Sequence, residues 1–241
     1  PLLLTQRIIA NYKTPWPAAI PKRAKGNVSD FDLVLDSRWR VGMANGQLEN
    51  GRFWGWDKGP DIEGINARIN LASGVGDVSF GGESVKLDWI KTCRRPLVAR
   101  FSDCKLEVNW ANKSDWRFDL NYCQVENDDI SASGRVRMAW GEGKPNVDIN
   151  VAMTRGDISR FGDYWPENIM SEKSLRWLRA SLLGGQVVDG RYSMLGDLDD
   201  FPFLGHRGRL QAIAPASDVN IRYADDWPNA RNVDATAYFE G

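Results

Sequence analysis

Between Phe101 and Val125 the apolar side chains fall on every second residue, a period that only an extended strand can place on one surface. Cys104, Leu106, Val108 and Trp110 line one face of a first strand, and Trp116, Phe118, Leu120 and Tyr122 line one face of a second. The intervening ANKSD is a turn. Pairing Trp110 with Trp116 sets Val108 opposite Phe118, Leu106 opposite Leu120 and Cys104 opposite Tyr122, so all eight share a surface. Asp103, Lys105, Glu107, Arg117, Asp119 and Asn121 occupy the reverse. A sheet with one apolar and one polar face is antiparallel, and its apolar face needs a second layer, a fold back on itself, or a ligand.

The same period continues along the chain. Phe31, Leu33 and Leu35 alternate with polar neighbours, as do Ile65, Ala67, Ile69 and Leu71. Further strands are expected at 130–140 (Val136, Met138, Trp140), 146–153 (Val147, Ile149, Val151, Met153), 186–195, 207–213 and 218–224. Asn45-Gly46 and Asn50-Gly51 read as tight reversals. Residues 1–12 read as a short helix or an entering strand. WGWDKGPDIEGINARINLASGVG at 54–76 has a looser echo in DDWPNARNVDATAYFEG at the end, which points to a sheet grown by extension. About a dozen strands joined by short turns exclude a parallel doubly wound fold, since each parallel step needs a crossover.

One segment breaks the pattern. Around 170–183, Leu175, Leu178 and Leu182 recur at three and four residues and form the packing face of an amphipathic helix; Glu172, Lys173, Arg176 and Arg179 lie off it. Ser171 is placed to cap its start and Gly184-Gly185 to stop it. The helix belongs to an insertion at about 157–185.

Catalytic and metal chemistry find little support. His206 is the only histidine, in a turn-like GHRGR, and no nucleophile elbow accompanies it. Cys93, Cys104 and Cys123 lack metal-ligand spacing. Their odd number prevents complete internal pairing; Cys123 falls on the polar face in the simple register, which argues against Cys104 and leaves Cys93 as the one candidate within the chain, with pairing and redox compartment left open. Asp197, Asp199 and Asp200 before Phe201, and Asp225-Asp226 before Trp227, suit a glycosidase acid pair but equally the start of a turn. GVGDVSFGG and GGQVVDG lack the lysine of a phosphate loop and read as strand turns. No cofactor is expected. A formal charge of -1 offers no basic field for nucleic acid, and no run approaches a spanning helix. The chain opens on Pro1 with neither an initiator Met nor a positive leader, so it reads as a fragment boundary and not a signal peptide.

GDYWPENIMSEKSLRWLRASLLGGQVVDGRYSMLGDLDDFPF resembles the middle region of the YhdP-type AsmA-like proteins, relatives of TamB in Gram-negative bacteria. The matching positions are Tyr164, Trp165 and Pro166; Trp177, Leu178, Ala180 and Gly184; Gly190 and Gly196; and Asp200 to Phe203. Trp165 stands where the family pattern has leucine. The resemblance implies a mainly β fold, an extended and strongly curved antiparallel sheet whose apolar face forms a taco-like groove, with one amphipathic helix. It implies that residues 1–241 are an internal segment of a larger groove-forming domain in the periplasm, tethered to the inner membrane by an anchor outside this chain and adjoined by further segments of the same chain. It also implies a conduit for phospholipids between inner and outer membranes, not an enzyme. Leu106, Val108, Trp110, Trp116, Phe118, Leu120 and Tyr122 would then line the lipid groove. The competing readings are a sealed scaffold module and a carboxylate-based glycan hydrolase.

Overall fold

The computed structural model describes residues 21–37, 41–55, 59–89, 92–110, 115–140, 144–165, 167, 170–201, 203, 205, 207–224 and 226–241. Eight strands come first: β1 (Arg23–Leu35), β2 (Val41–Trp54), β3 (Asp61–Ala72), β4 (Val75–Asp88), β5 (Leu97–Trp110), β6 (Trp116–Glu126), β7 (Ile130–Trp140) and β8 (Asn146–Asp157). A 3-10 helix (Ile158–Asp163) and helix α1 (Glu172–Ser181) follow, and then β9 (Leu182–Val187), β10 (Gly190–Asp197), β11 (Gly208–Ile221) and β12 (Ala230–Glu240). All strands join one antiparallel sheet in the order β1-β2-β3-β4-β5-β6-β7-β8-β10-β11-β12, with β9 beside β10 between β8 and β11. Nearest-neighbour order follows from the short turns. The sheet is long, continuous and curved like a taco, and among the described residues β1 and β12 each pair on one side only.

The curvature has a visible cause in the sequence. Asp30, Asn50, Gly64, Asp103, Asp218 and Asn232 all have φ between 47° and 83°, and each sits where the strand register slips. Asp, Asn and Gly tolerate this left-handed backbone, and an extra residue there bends its strand and sharpens the twist. Asn50 and its neighbour Gly51 therefore form a bulge inside β2, not the expected reversal, and Asn45-Gly46 likewise lies within the strand. The β2/β3 and β11/β12 hairpins carry the same register: Leu48 to Ala67, Gly51 to Ile65 and Phe53 to Ile62 correspond to Ala216 to Ala235, Val219 to Val233 and Ile221 to Ala230. The echo between the two ends of the sequence is thus a repeated bulged hairpin.

The insertion leaves the sheet after β8 and returns as β9. Ser171 caps α1 by accepting from the Ser174 N-H at 3.1 Å. The helix ends at Ser181 and the chain becomes extended at Leu182, so Gly184 and Gly185 lie in β9 and do not form the expected stop. Leu175 is buried, Leu178 is half-buried on the helix, and Leu182 packs from β9. Strand β11 is a single element bulged at Asp218, where the sequence suggested separate strands at 207–213 and 218–224. Gly76, Gly81 and Gly82 of GVGDVSFGG lie within β4.

A clasp knits the insertion to two loops at one rim. Tyr164 donates to Asp129 at 2.6 Å, Asp157 N-H to Asp129 O at 2.8 Å, and Arg160 pairs with Asp129. Arg95 N-H donates to Asp163 O at 3.3 Å and its guanidinium pairs with Asp163, while Glu167 N-H donates to Thr92 O at 2.7 Å. Burial, then the bond to Asp129, raises the Tyr164 hydroxyl above its ordinary value.

Candidate functional site

Residues paired across antiparallel strands share a face. Following the pairs from β2 to β11 gives one uninterrupted line: Gly46, Ile69, Val78, Leu106, Leu120, Val136, Ile149, Met194 and Leu210. Two residues along each strand, the parallel line is Ala44, Leu71, Gly76, Val108, Phe118, Met138, Val147, Gly196 and Gly208. The intervening line, on the reverse face, reads Asn45, Asn70, Asp77, Glu107, Asp119, Arg137, Asp148, Leu195 and Arg209. One face of nine strands is therefore apolar without a charged residue in either line. Bending at the bulges turns this face into a trough.

The expected hairpin pairs Trp110 with Trp116, Val108 with Phe118 and Leu106 with Leu120 are present. Beyond them the register departs from simple alternation. Bulges at Asp103 in β5 and Asn121 in β6 pair Tyr122 with Lys105, so Tyr122 turns out of the trough and is 44% exposed. The same slip brings Cys123 inward, where it forms a disulfide with Cys104; both cysteines are buried. This corrects the expected Cys104/Tyr122 pairing and the argument against a Cys104–Cys123 bridge. Cys93 is the free cysteine, its thiol donating to Tyr164 O at 3.5 Å and raised by burial and then by Glu167.

At one rim of the trough the strand ends of β5, β6 and β7 gather aromatic rings. Trp110 stacks on Trp116 with centroids 5.7 Å apart, Trp116 on Phe118 at 6.0 Å, and Phe118 meets Trp140 edge-on at 5.3 Å. Further along this rim Phe203, 2% exposed, lies against the facing pair Gly196 and Gly208, where a Cβ on Gly208 would stand 2.2 Å from its ring. At the opposite rim Ile158 and Phe161 of the insertion pack on Met153, Val187, Ala214, Ala216 and Val219. The chain's own side chains thus cover parts of the trough between β8 and β11.

The carboxylates do turn work. Asp199 N-H donates to the Asp197 carboxylate at 2.8 Å, Asp200 N-H to Asp197 O at 3.0 Å, and Phe203 N-H to Asp200 O at 2.7 Å. Arg207 pairs with Asp200 and Lys144 with Asp199. Among the described residues no group of acidic, Cys or His side chains is placed to hold a metal, and no helix is long and apolar enough to cross a membrane. Residues 1–12, Pro166, Pro202, His206 and Asp225 lie outside the described residues.

The alternation in each strand was readable, but the lines joining them were not. Val78, Met194 and Leu210 enter the trough through pairings that no local motif announces.

The family described as YhdP protein matches residues 11–241. The chain is 21% identical over 181 residues to the intermembrane phospholipid transporter YhdP of Escherichia coli K12, an alignment covering 74% of this chain and 14% of that protein. The chain therefore spans about a seventh of its relative's length. No solved structure matches it.

Proposed function

The chain belongs to the YhdP protein family, and from that membership we propose that it is one segment of a conduit carrying phospholipid between the inner and outer membranes of a Gram-negative envelope. The observation that carries this reading is the pair of apolar lines crossing nine strands, backed by a polar line on the reverse. Acyl chains lie on the apolar face and headgroups stay toward water at the rim. Leu106, Val108, Trp110, Trp116, Phe118 and Leu120 line the path in this reading; Tyr122 does not. Each methylene withdrawn from water gains roughly 0.8 kcal/mol, so a long acyl chain is held without any polar contact. Neighbouring positions along a line offer similar apolar surroundings, so a chain moves between them against little net free-energy change.

The segment works in the periplasm, adjoined at β1 and β12 by further strands of the full-length protein, with tethering to the inner membrane supplied outside this chain. The buried Cys104–Cys123 disulfide supports an oxidising compartment. No catalysis is required of any residue.

The test is photocrosslinking of phospholipid from single positions in the full-length protein, beside thermal stability of the same variants. Crosslinks from positions 106, 108, 118 and 120 but not from 107 or 119, together with copurifying phospholipid, are expected. Replacement of Val108 or Leu120 by a charged residue is expected to spare the fold, because a charge in an open trough reaches water. In a sealed core the unpaired charge would cost several kcal/mol. Unfolding of those variants with no crosslink from any of the four positions would replace the conduit by a sealed scaffold module.

A further inference from the structure

The trough does not keep one width along the sheet. On β7 its face carries Ala132, Gly134, Val136, Met138 and Trp140, and all five are only half-buried. On β10 the same face carries Gly190, Tyr192, Met194 and Gly196; both glycines are buried, and only Tyr192 and Met194 between them stay half-buried and open to the trough. The chain itself closes the two ends. A Cβ on Gly196 would stand 2.9 Å from the Phe203 ring, and one on Gly190 would stand 2.9 Å from Val187. Val187 is in turn buried, packed with Ile158 and Phe161 of the insertion.

We propose that β10 is the constriction of the conduit and that Tyr192 and Met194 decide what passes it. The inference rests on the conduit reading above. On β7 a lipid has alternative tracks across five side chains, whereas at β10 it has a floor of two, walled by Phe203 on one side and by the insertion on the other. At roughly 3.4 Å per residue, two trough-facing side chains of one strand occupy about 14 Å. Neighbouring hydrocarbon chains come no closer than carbon contact at about 4 Å, so this floor takes the two chains of one lipid abreast and leaves little room for added bulk. The two residues differ in kind. Met194 is unbranched and reshapes itself to what lies on it, while Tyr192 is a rigid ring paired with Val151 on β8 and Ala212 on β11. Tyr192 therefore sets the width, and Met194 accommodates the chain. Burial raises the Tyr192 hydroxyl above its ordinary value, in keeping with a phenol held in a walled passage.

The experiment uses the full-length protein between donor and acceptor membranes, with a photoreactive residue at position 106 on β5 or at position 239 on β12, where Phe239 pairs with Ala212. The two positions lie on opposite sides of β10. The probes are a phospholipid with two plain acyl chains and the same lipid carrying a pyrene at the end of one chain. With the Tyr192 side chain intact, the plain lipid is expected to crosslink from both positions and the pyrene lipid from only one. Tyr192→Ala widens the floor and is expected to bring pyrene-lipid crosslinks to the other position. Ala212→Trp narrows it and is expected to shift the ratio of plain-lipid crosslinks at the two positions by roughly fivefold or more, the low end of what overpacking costs a filled site. Val136→Trp, on β7 where tracks remain to either side, is expected to shift that ratio less. A pyrene lipid crosslinked from both positions of the otherwise unmodified protein, or from neither while the plain lipid is seen at both, overturns the inference and needs no substitution on β10. Equal effects of Ala212→Trp and Val136→Trp in folded proteins also overturn it. Absence of plain-lipid crosslinks from both positions removes the conduit reading itself, whereas free passage of the pyrene lipid removes the constriction alone.

Discussion

The backbone N-H of Asn50, at a left-handed bulge in β2, donates to the side-chain oxygen of Asn66 on β3, 2.9 Å away. Asp218 and Asp234 repeat the arrangement between β11 and β12 at 3.3 Å. The ladder has slipped at both places, and the neighbouring Asn or Asp supplies the acceptor that the slipped strand withholds. Asn66→Ala is therefore expected to cost about 0.5–1.5 kcal/mol. Asn50→Val should cost more, because a β-branched residue is forced to positive φ, and Asn50→Gly should be near neutral. Denaturant unfolding of the three variants checks the order; a neutral Asn50→Val would mean that the bulge is not needed.

The disulfide between Cys104 and Cys123 closes a short loop across two bulged strands. Its removal by the double change to alanine is expected to lower stability by about 3 kcal/mol. Thiol titration supplies an independent check. The native, unreduced chain should show one reactive thiol, slow because Cys93 is partly buried with its thiol raised above the ordinary value; three should appear after reduction and unfolding.

Gly208 and Gly196 make room for Phe203. Gly208→Ala drives a methyl into that ring, with an expected cost of about 1–3 kcal/mol. Phe203→Ala leaves a void and should cost about 3 kcal/mol. Gly205→Ala is the control, since nothing stands within 4 Å of the added carbon. Equal unfolding midpoints for the two glycine variants would show that Phe203 does not occupy the socket.

The clasp at Tyr164 carries a pH dependence. Its hydroxyl is raised from the ordinary 10.0 by burial first and by the Asp129 bond second. Above pH 10 the unfolded chain therefore loses this proton before the folded one does, and stability falls from about that pH until the folded group has also titrated. Tyr164→Phe should lower stability at neutral pH by about 1 kcal/mol and flatten the alkaline fall. Tyr192, also raised by burial, keeps part of the slope in the variant. An unchanged alkaline profile would remove Tyr164 from the account.

Local chemistry determined much of this protein before any pairing was known. The alternation of Val108 with Glu107 and of Phe118 with Asp119 dictates a two-faced sheet, because a strand sends successive side chains to opposite sides. The spacing of Leu175 and Leu178 dictates the helix, and short turns dictate the neighbour order of the strands. Asn50 was visible as a turn former, whereas Asp103 read only as a polar-face residue of its strand; the tertiary pairing alone decides whether such a residue reverses a strand or bends it. The same pairing decided that Cys123 and not Tyr122 faces the trough, because one inserted residue exchanges the faces of everything beyond it. Register is a property of two strands at once, summed across the sheet. The joining of Gly46 to Leu210 through seven intermediate residues, and with it the existence of a trough, belongs to the tertiary structure alone.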